Sequence, residues 1–141
     1  RKEKNMGDRV SISFKDSDGE ESIALFNHWG GTEFPNFALN WFKDFKDRNK
    51  AKSNWSDPIT RHEARVMMTQ FLDFIGRNKI DRQYIRGGEI GRMKTDENLL
   101  SSSYYFGKDK NDGDNSDNGH YIIRTDTATM EVAKRPMEDY E

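Results

Sequence analysis

Arg9-Val10-Ser11-Ile12-Ser13-Phe14, then Asp16-Ser17-Asp18-Gly19, then Ser22 to Trp29: the reading of this stretch decides the fold. Val10, Ile12 and Phe14 alternate with small polar residues, which is the period of a strand that buries one face. Asp18-Gly19 suits a two-residue primed turn, and Ile23, Ala24, Leu25 and Phe26 supply the returning strand. With that turn Ser17 opposes Glu20, so Arg9 faces His28 and Asp8 faces Trp29. Gly30-Gly31 ends the second strand.

Outward from the hairpin, the apolar period changes from two to about four. Phe37, Ala38, Trp41, Phe42 and Phe45 form a helical stripe after Pro35-Asn36. A second helix is expected to start at Asp57-Pro58, with Thr60 and Glu63 as a capping box. Its stripe is Ala64, Met67, Met68, Phe71, Phe74 and Ile75, and it stops at Gly76 to Asn78. Residues 79–98 dissolve into charge and glycine and predict a long loop, with a short strand near Tyr84-Ile85. Ser103 to Phe106, His120 to Arg124 and Thr129 to Lys134 read as three more strands.

The predicted architecture is a single α+β domain over residues 1–141, in the order ββ-αα-βββ. It has one antiparallel sheet with two helices packed on one face. Residues 1–5 are expected to be a disordered extension, 107–119 a flexible polar loop and 136–141 a frayed tail.

Composition sharpens this. The 141 residues are 34% charged and 33% hydrophobic, and the mean hydropathy is −1.07. A disordered chain is the first alternative to test. Twenty-three Lys and Arg nearly cancel 25 Asp and Glu, and nine Phe, five Tyr and three Trp can build a core from few residues. The absence of cysteine excludes disulfides, thiolate zinc sites and a cysteine nucleophile. No apolar run approaches a membrane span and no signal-peptide core follows the charged start, so a cytoplasmic protein is expected. No cofactor is expected.

The open end of the hairpin brings together Asp8, Arg9, His28, Trp29, Gly30 and Gly31. Three readings stay open there. Asp8 could orient His28 as a general base, with glycine amides stabilising an oxyanion, although no nucleophile is evident beyond Thr32 or a water. Arg9 and Trp29 could pair with and stack on an anionic or aromatic ligand. Or Asp8, Arg9 and His28 bond locally and Trp29 seals the end of the core.

Met6-Gly7-Asp8-Arg9 opening one strand and Asn27-His28-Trp29-Gly30-Gly31 closing the next resemble a set of small uncharacterised microbial and phage proteins. Their terminal hairpin resembles Tyr121-Ile122-Ile123-Arg124-Thr125-Asp126 followed by Thr129-Met130-Glu131-Val132. The resemblance covers about the first 30 and last 20 residues, by the numbering of those motifs. It implies a fold and an accessory, phage- or mobile-element-related setting, and no mechanism.

Two other segments carry chemistry. Asp109, Asn111, Asp112, Asp114 and Asp117 are oxygen donors that invite calcium, but the glycine sits at position five and His120 stands where a bidentate Glu belongs. Arg77, Lys79, Arg82, Arg86, Arg92 and Lys94, against Asp81 and Glu89, leave a net +4 around Tyr84, a pattern that can hold a nucleic-acid backbone. Lys43, Lys46, Arg48, Lys50 and Lys52 add a net +3 against Asp44 and Asp47. The favoured function is a non-catalytic binding protein whose partner is another protein. The alternatives are a hydrolase-like enzyme using Asp8 and His28, and a nucleic-acid-binding module using residues 77–94.

Overall fold

A computed structural model describes residues 8–50, 57–78, 104–107 and 109–136. Strands β1 (Val10–Lys15) and β2 (Leu25–Asn27) precede helices α1 (Glu33–Arg48) and α2 (Ala64–Asn78); β3 (Tyr104–Phe106), β4 (His120–Arg124) and β5 (Thr129–Lys134) follow. The class is α+β, with two α-helices and one five-stranded sheet among the described residues.

The sheet is mixed, which corrects the expectation of an antiparallel one. Its spatial order is β3-β2-β1-β4-β5, and β1 pairs with β4 in parallel, Ser11 beside His120 and Lys15 beside Arg124. Residues 109–119 do not close a hairpin. They cross the sheet from β3 on one side to β4 on the other, a connection of about a dozen residues, as joining parallel strands requires. The segment expected as a flexible loop carries a short 3-10 turn at Gly113–Asn115, and residues 115–119 are buried.

The two faces of the sheet differ. Val10, Ile12, Phe14, Leu25, Tyr104 and Ile123 pack against the helices. The predicted stripes of both helices are buried there, apart from a half-buried Phe74. Phe71 sits at the centre, with its ring 5.2 Å from Trp41 and 6.0 Å from Phe14 and Phe34. The opposite face carries Ser11, Ser13, Phe26, Tyr105 and His120 under the 109–119 segment.

The hairpin register holds at Val10↔Asn27 and Ile12↔Leu25, but its turn is larger than expected. Asp16 N–H donates to the Glu20 carbonyl (3.0 Å) and Gly19 N–H to the Asp16 carbonyl (3.0 Å). Gly19 takes φ +85°. This is a three-residue loop closed by a left-handed glycine. The irregular stretch 22–24 absorbs the slip and shortens β2.

Helix boundaries also moved. α1 begins at Glu33, ahead of Pro35, which is tolerated because a first-turn N–H has no helical partner. The Thr60–Glu63 capping box does not form: Thr60 Oγ1 donates to the Asp57 carbonyl, and His62 turns the chain at φ +57°. Asp16 caps α2 instead. Its Oδ2 accepts from Ala64 N–H at 2.9 Å while Oδ1 accepts from Asp18 and Glu20 N–H. Losing this buried acceptor strands three donors, so Asp16→Ala is expected to cost about 2 kcal/mol in urea unfolding. Asp16→Asn, which keeps an acceptor, should cost less; equal costs for the two would count against the cap.

Candidate functional site

At the open end of the hairpin the backbone brings Asp8 to His28: Asp8 N–H donates to the His28 carbonyl at 2.8 Å and Gly31 N–H to the Asp8 carbonyl at 2.9 Å. The side chains go elsewhere. Asp8 Oδ1 accepts from Asn118 Nδ2 at 2.8 Å, and among the described residues no hydrogen bond joins its carboxylate to the His28 ring. His28 lies edge-on to Trp29, 4.4 Å between centroids, and both are half-buried. Gly31, at φ +63°, gives the Asp8 carboxylate room: a Cβ there would lie 2.7 Å from Oδ2. Gly30 does the same for Phe34, whose Cβ would lie 2.6 Å away. The core end is thus filled by Phe34, and Trp29 stays at the rim.

Arg9 is engaged by the crossover. Its Nε lies 3.2 Å from Asp117 Oδ2 and its Nη1 3.3 Å from Asp114 Oδ1. Burial opposes its charge, but the two carboxylates hold its pKa above the ordinary value. Asp114 also accepts from the Tyr105 hydroxyl at 3.0 Å; burial first, and then this bond, push that phenol up to about 12. The oxygen donors singled out for calcium therefore diverge. Asp109 accepts from Asn111 N–H and Asp112 from Asp114 N–H, while Asp114 and Asp117 hold Arg9. Among the described residues no group of three His, Cys, Asp or Glu side chains is placed to hold a metal.

A second cluster lies beneath the crossover, and its bonds have one consistent direction. Ser13 Oγ donates to Glu21 Oε2 at 2.6 Å. Its single proton is then used, so His120 Nε2, 3.0 Å away, must be the donor to it. The neutral ring leaves Nδ1 as acceptor for the Ser11 hydroxyl at 2.7 Å. Ser11 Oγ accepts from Asn115 Nδ2 (2.8 Å), and Asn115 Oδ1 accepts from Lys134 Nζ (2.7 Å). A continuous chain runs from the Lys134 ammonium to the Glu21 carboxylate. Ser11, Ser13, Asn115 and His120 are all fully buried. Burial is the main reason His120 is lowered to about 4; Glu21 opposes the shift, and Lys110 and Lys134 add to it.

Serine, histidine and glutamate together suggest a hydrolytic triad, but the order is wrong. The carboxylate contacts the Ser13 hydroxyl, not the imidazole, whose Nε2 is 3.8 Å from Glu21, and Ser13 has no access to solvent. The chain pins the crossover to the sheet. Sequence reading missed it because Ser11 and Ser13 occupy the outward positions of an alternating strand; the absence of any charged residue there was the available signal.

The third arrangement is on α1. Lys43, Lys46, Asp47 and Lys50 line an open cleft of 430 Å³ with Thr127 and Ala128 of the β4–β5 turn. Lys46 and Lys50 also line an adjoining cleft of 120 Å³ with Asn49, Thr60 and His62. Among the described residues none of these lysines forms an ion pair. By contrast Arg48, Arg65, Arg77 and Arg124 each reach a carboxylate within 3.1 Å. His62, packed on Phe42 at 5.3 Å, is lowered by burial and then by Lys46. Of the basic segment 77–94 only Arg77, paired with Asp73, and Asn78 are described; Lys79, Arg82, Tyr84, Arg86, Arg92 and Lys94 lie outside the described residues, as do Met6, Gly7 and Trp55.

No helix among the described residues is long and apolar enough to cross a membrane. No family model matches the chain, and no curated protein or solved structure matches it.

Proposed function

We propose that the chain is a non-catalytic binding protein that engages an anionic partner through the lysine face at the C-terminal end of α1. The observation that carries this reading is the contrast in charge use. Asp8, Arg9 and His120 are bonded into the fold, whereas Lys43, Lys46 and Lys50 line two clefts in which Asp47 is the one carboxylate among the described residues. An accessory role in a phage or mobile element rests on the resemblance of the hairpin motifs.

The net charge of −2 makes the test discriminating. A protein of that charge has no global attraction for a polyanion, so retention must come from a local patch. The wild type is expected to be held on immobilised heparin at low salt, and the Lys43→Ala/Lys46→Ala/Lys50→Ala variant to pass through. Equal elution of the two would sink the reading. A hydrolase using Asp8 and His28 has no supporting geometry beyond the backbone bond between them.

A further inference from the structure

We propose that the Lys43–Lys46–Lys50 face binds the phosphate backbone of a nucleic acid without reading its bases, a proposal that rests on the binding reading above. The lining chemistry selects the partner. Protein interfaces centre on aromatic and apolar anchors and are depleted in lysine. The two clefts offer the opposite: three lysines, two threonines, an asparagine and a histidine against one aspartate and one alanine, with no Phe, Tyr or Trp among their described lining residues. Lysine, threonine and asparagine are the side chains that contact phosphate and sugar oxygens.

Lys43 and Lys46 lie one turn apart on α1, about 4.5 Å along its axis, and Lys50 follows just beyond the Asn49 C-cap, lining the same clefts. A nucleic-acid strand presents a charge every ~3.4 Å of axis, so each lysine meets about one phosphate. Thr127, across the larger cleft, adds a hydroxyl donor. Among the described residues no arginine lines the clefts, the His62 ring is packed against Phe42 and Phe45, and the Asn49 amide donates to the Phe45 carbonyl, so the base-reading groups are already engaged.

The test is fluorescence anisotropy with two labelled mixed-sequence DNA duplexes of unrelated sequence and, in parallel, labelled poly-glutamate. Proteins are the wild type, the triple lysine variant, and Arg65→Ala as an exposed α2 control, each checked for an unchanged far-UV spectrum. Both duplexes should bind alike, with a log–log salt slope of about −2 to −3. The triple variant should bind roughly tenfold more weakly at low salt with the slope close to zero, and Arg65→Ala should match the wild type. Poly-glutamate bound through the lysines, with neither duplex bound, overturns the nucleic-acid assignment and leaves the binding reading standing. Failure of both probes overturns the two together, and a tenfold preference between the duplexes overturns recognition by backbone alone.

Discussion

Gly119→Ala is expected to cost about 4 kcal/mol, while Gly19→Ala costs about 1. Both glycines are left-handed, at φ +91° and +85°, so each replacement pays the same backbone strain. Their surroundings differ. A Cβ at Gly19 meets nothing within 4 Å, whereas one at Gly119 overlaps the Lys134 carbonyl oxygen. Neither side of that overlap can move freely. Gly119 N–H donates to the Asn115 carbonyl and its own carbonyl accepts from Ser11 N–H. Lys134 sits at an irregularity of the β4–β5 ladder, where the pairing passes from Tyr121↔Val132 to His120↔Lys134 and leaves Ala133 over. That extra residue turns Lys134 onto the His120 side of the sheet, where its ammonium reaches Asn115. Relief of the overlap must therefore shift the bulge or lift the crossover. Urea unfolding of the two variants decides the matter: costs within about 0.5 kcal/mol of each other would mean that the crossover does not close against β5 as described.

The same residues show how much of the fold can be read in advance. Val10, Ile12 and Phe14 declare a strand, and the aromatic stripes declare both helices, because burial against one partner layer imposes a local period. The hairpin register could be read back from its turn and open end even though the turn itself was mistaken: the irregular stretch at Ser22–Ala24 compensates for the extra turn residue. Relations between distant segments had no such local trace. Asp16 looks like an ordinary turn aspartate, and its bond to Ala64, 48 residues on, exists only in the assembled fold. Ser11 and Ser13 read as water-facing because small hydroxyl residues satisfy their bonds equally well in solvent or in a buried chain. The parallel pairing of β1 with β4 was hidden for the same reason. The polar 107–119 segment has the composition of a hairpin loop, and only partners such as Arg9 and Ser11 keep it against the sheet. For the site, the lysine cluster is visible as charge, while the pairing that neutralises Arg48, Arg65, Arg77 and Arg124 and, among the described residues, leaves those lysines without an ion pair is not.

Acid should weaken the protein through one group in particular. His120 has a folded pKa of about 4 against roughly 6.5 in an unfolded chain. Above the unfolded value both states hold a neutral ring and the group adds no pH dependence. Between about pH 6.5 and 4 the unfolded chain binds a proton that the native chain refuses, so stability falls as pH falls. Below the folded value the difference is complete, at ~3 kcal/mol. The bonding explains the refusal. With Ser13 already donating to Glu21 and Ser11 already accepting from Asn115, a second ring proton at Nδ1 would displace the Ser11 hydroxyl proton within a fully buried site, close to the Lys134 end of the chain. His120→Gln keeps a donor and an acceptor but cannot titrate. It is expected to be less stable than the wild type at neutral pH, with the gap narrowing by ~3 kcal/mol as pH falls to 4. Groups remote from His120 are common to both proteins and cancel in that difference. Ring nitrogen shifts in the folded wild type should show a proton on Nε2 and none on Nδ1 at pH 6. A His120 that titrates near 6.5 in the native state, or a gap that stays constant, would show that the ring is not held in this chain.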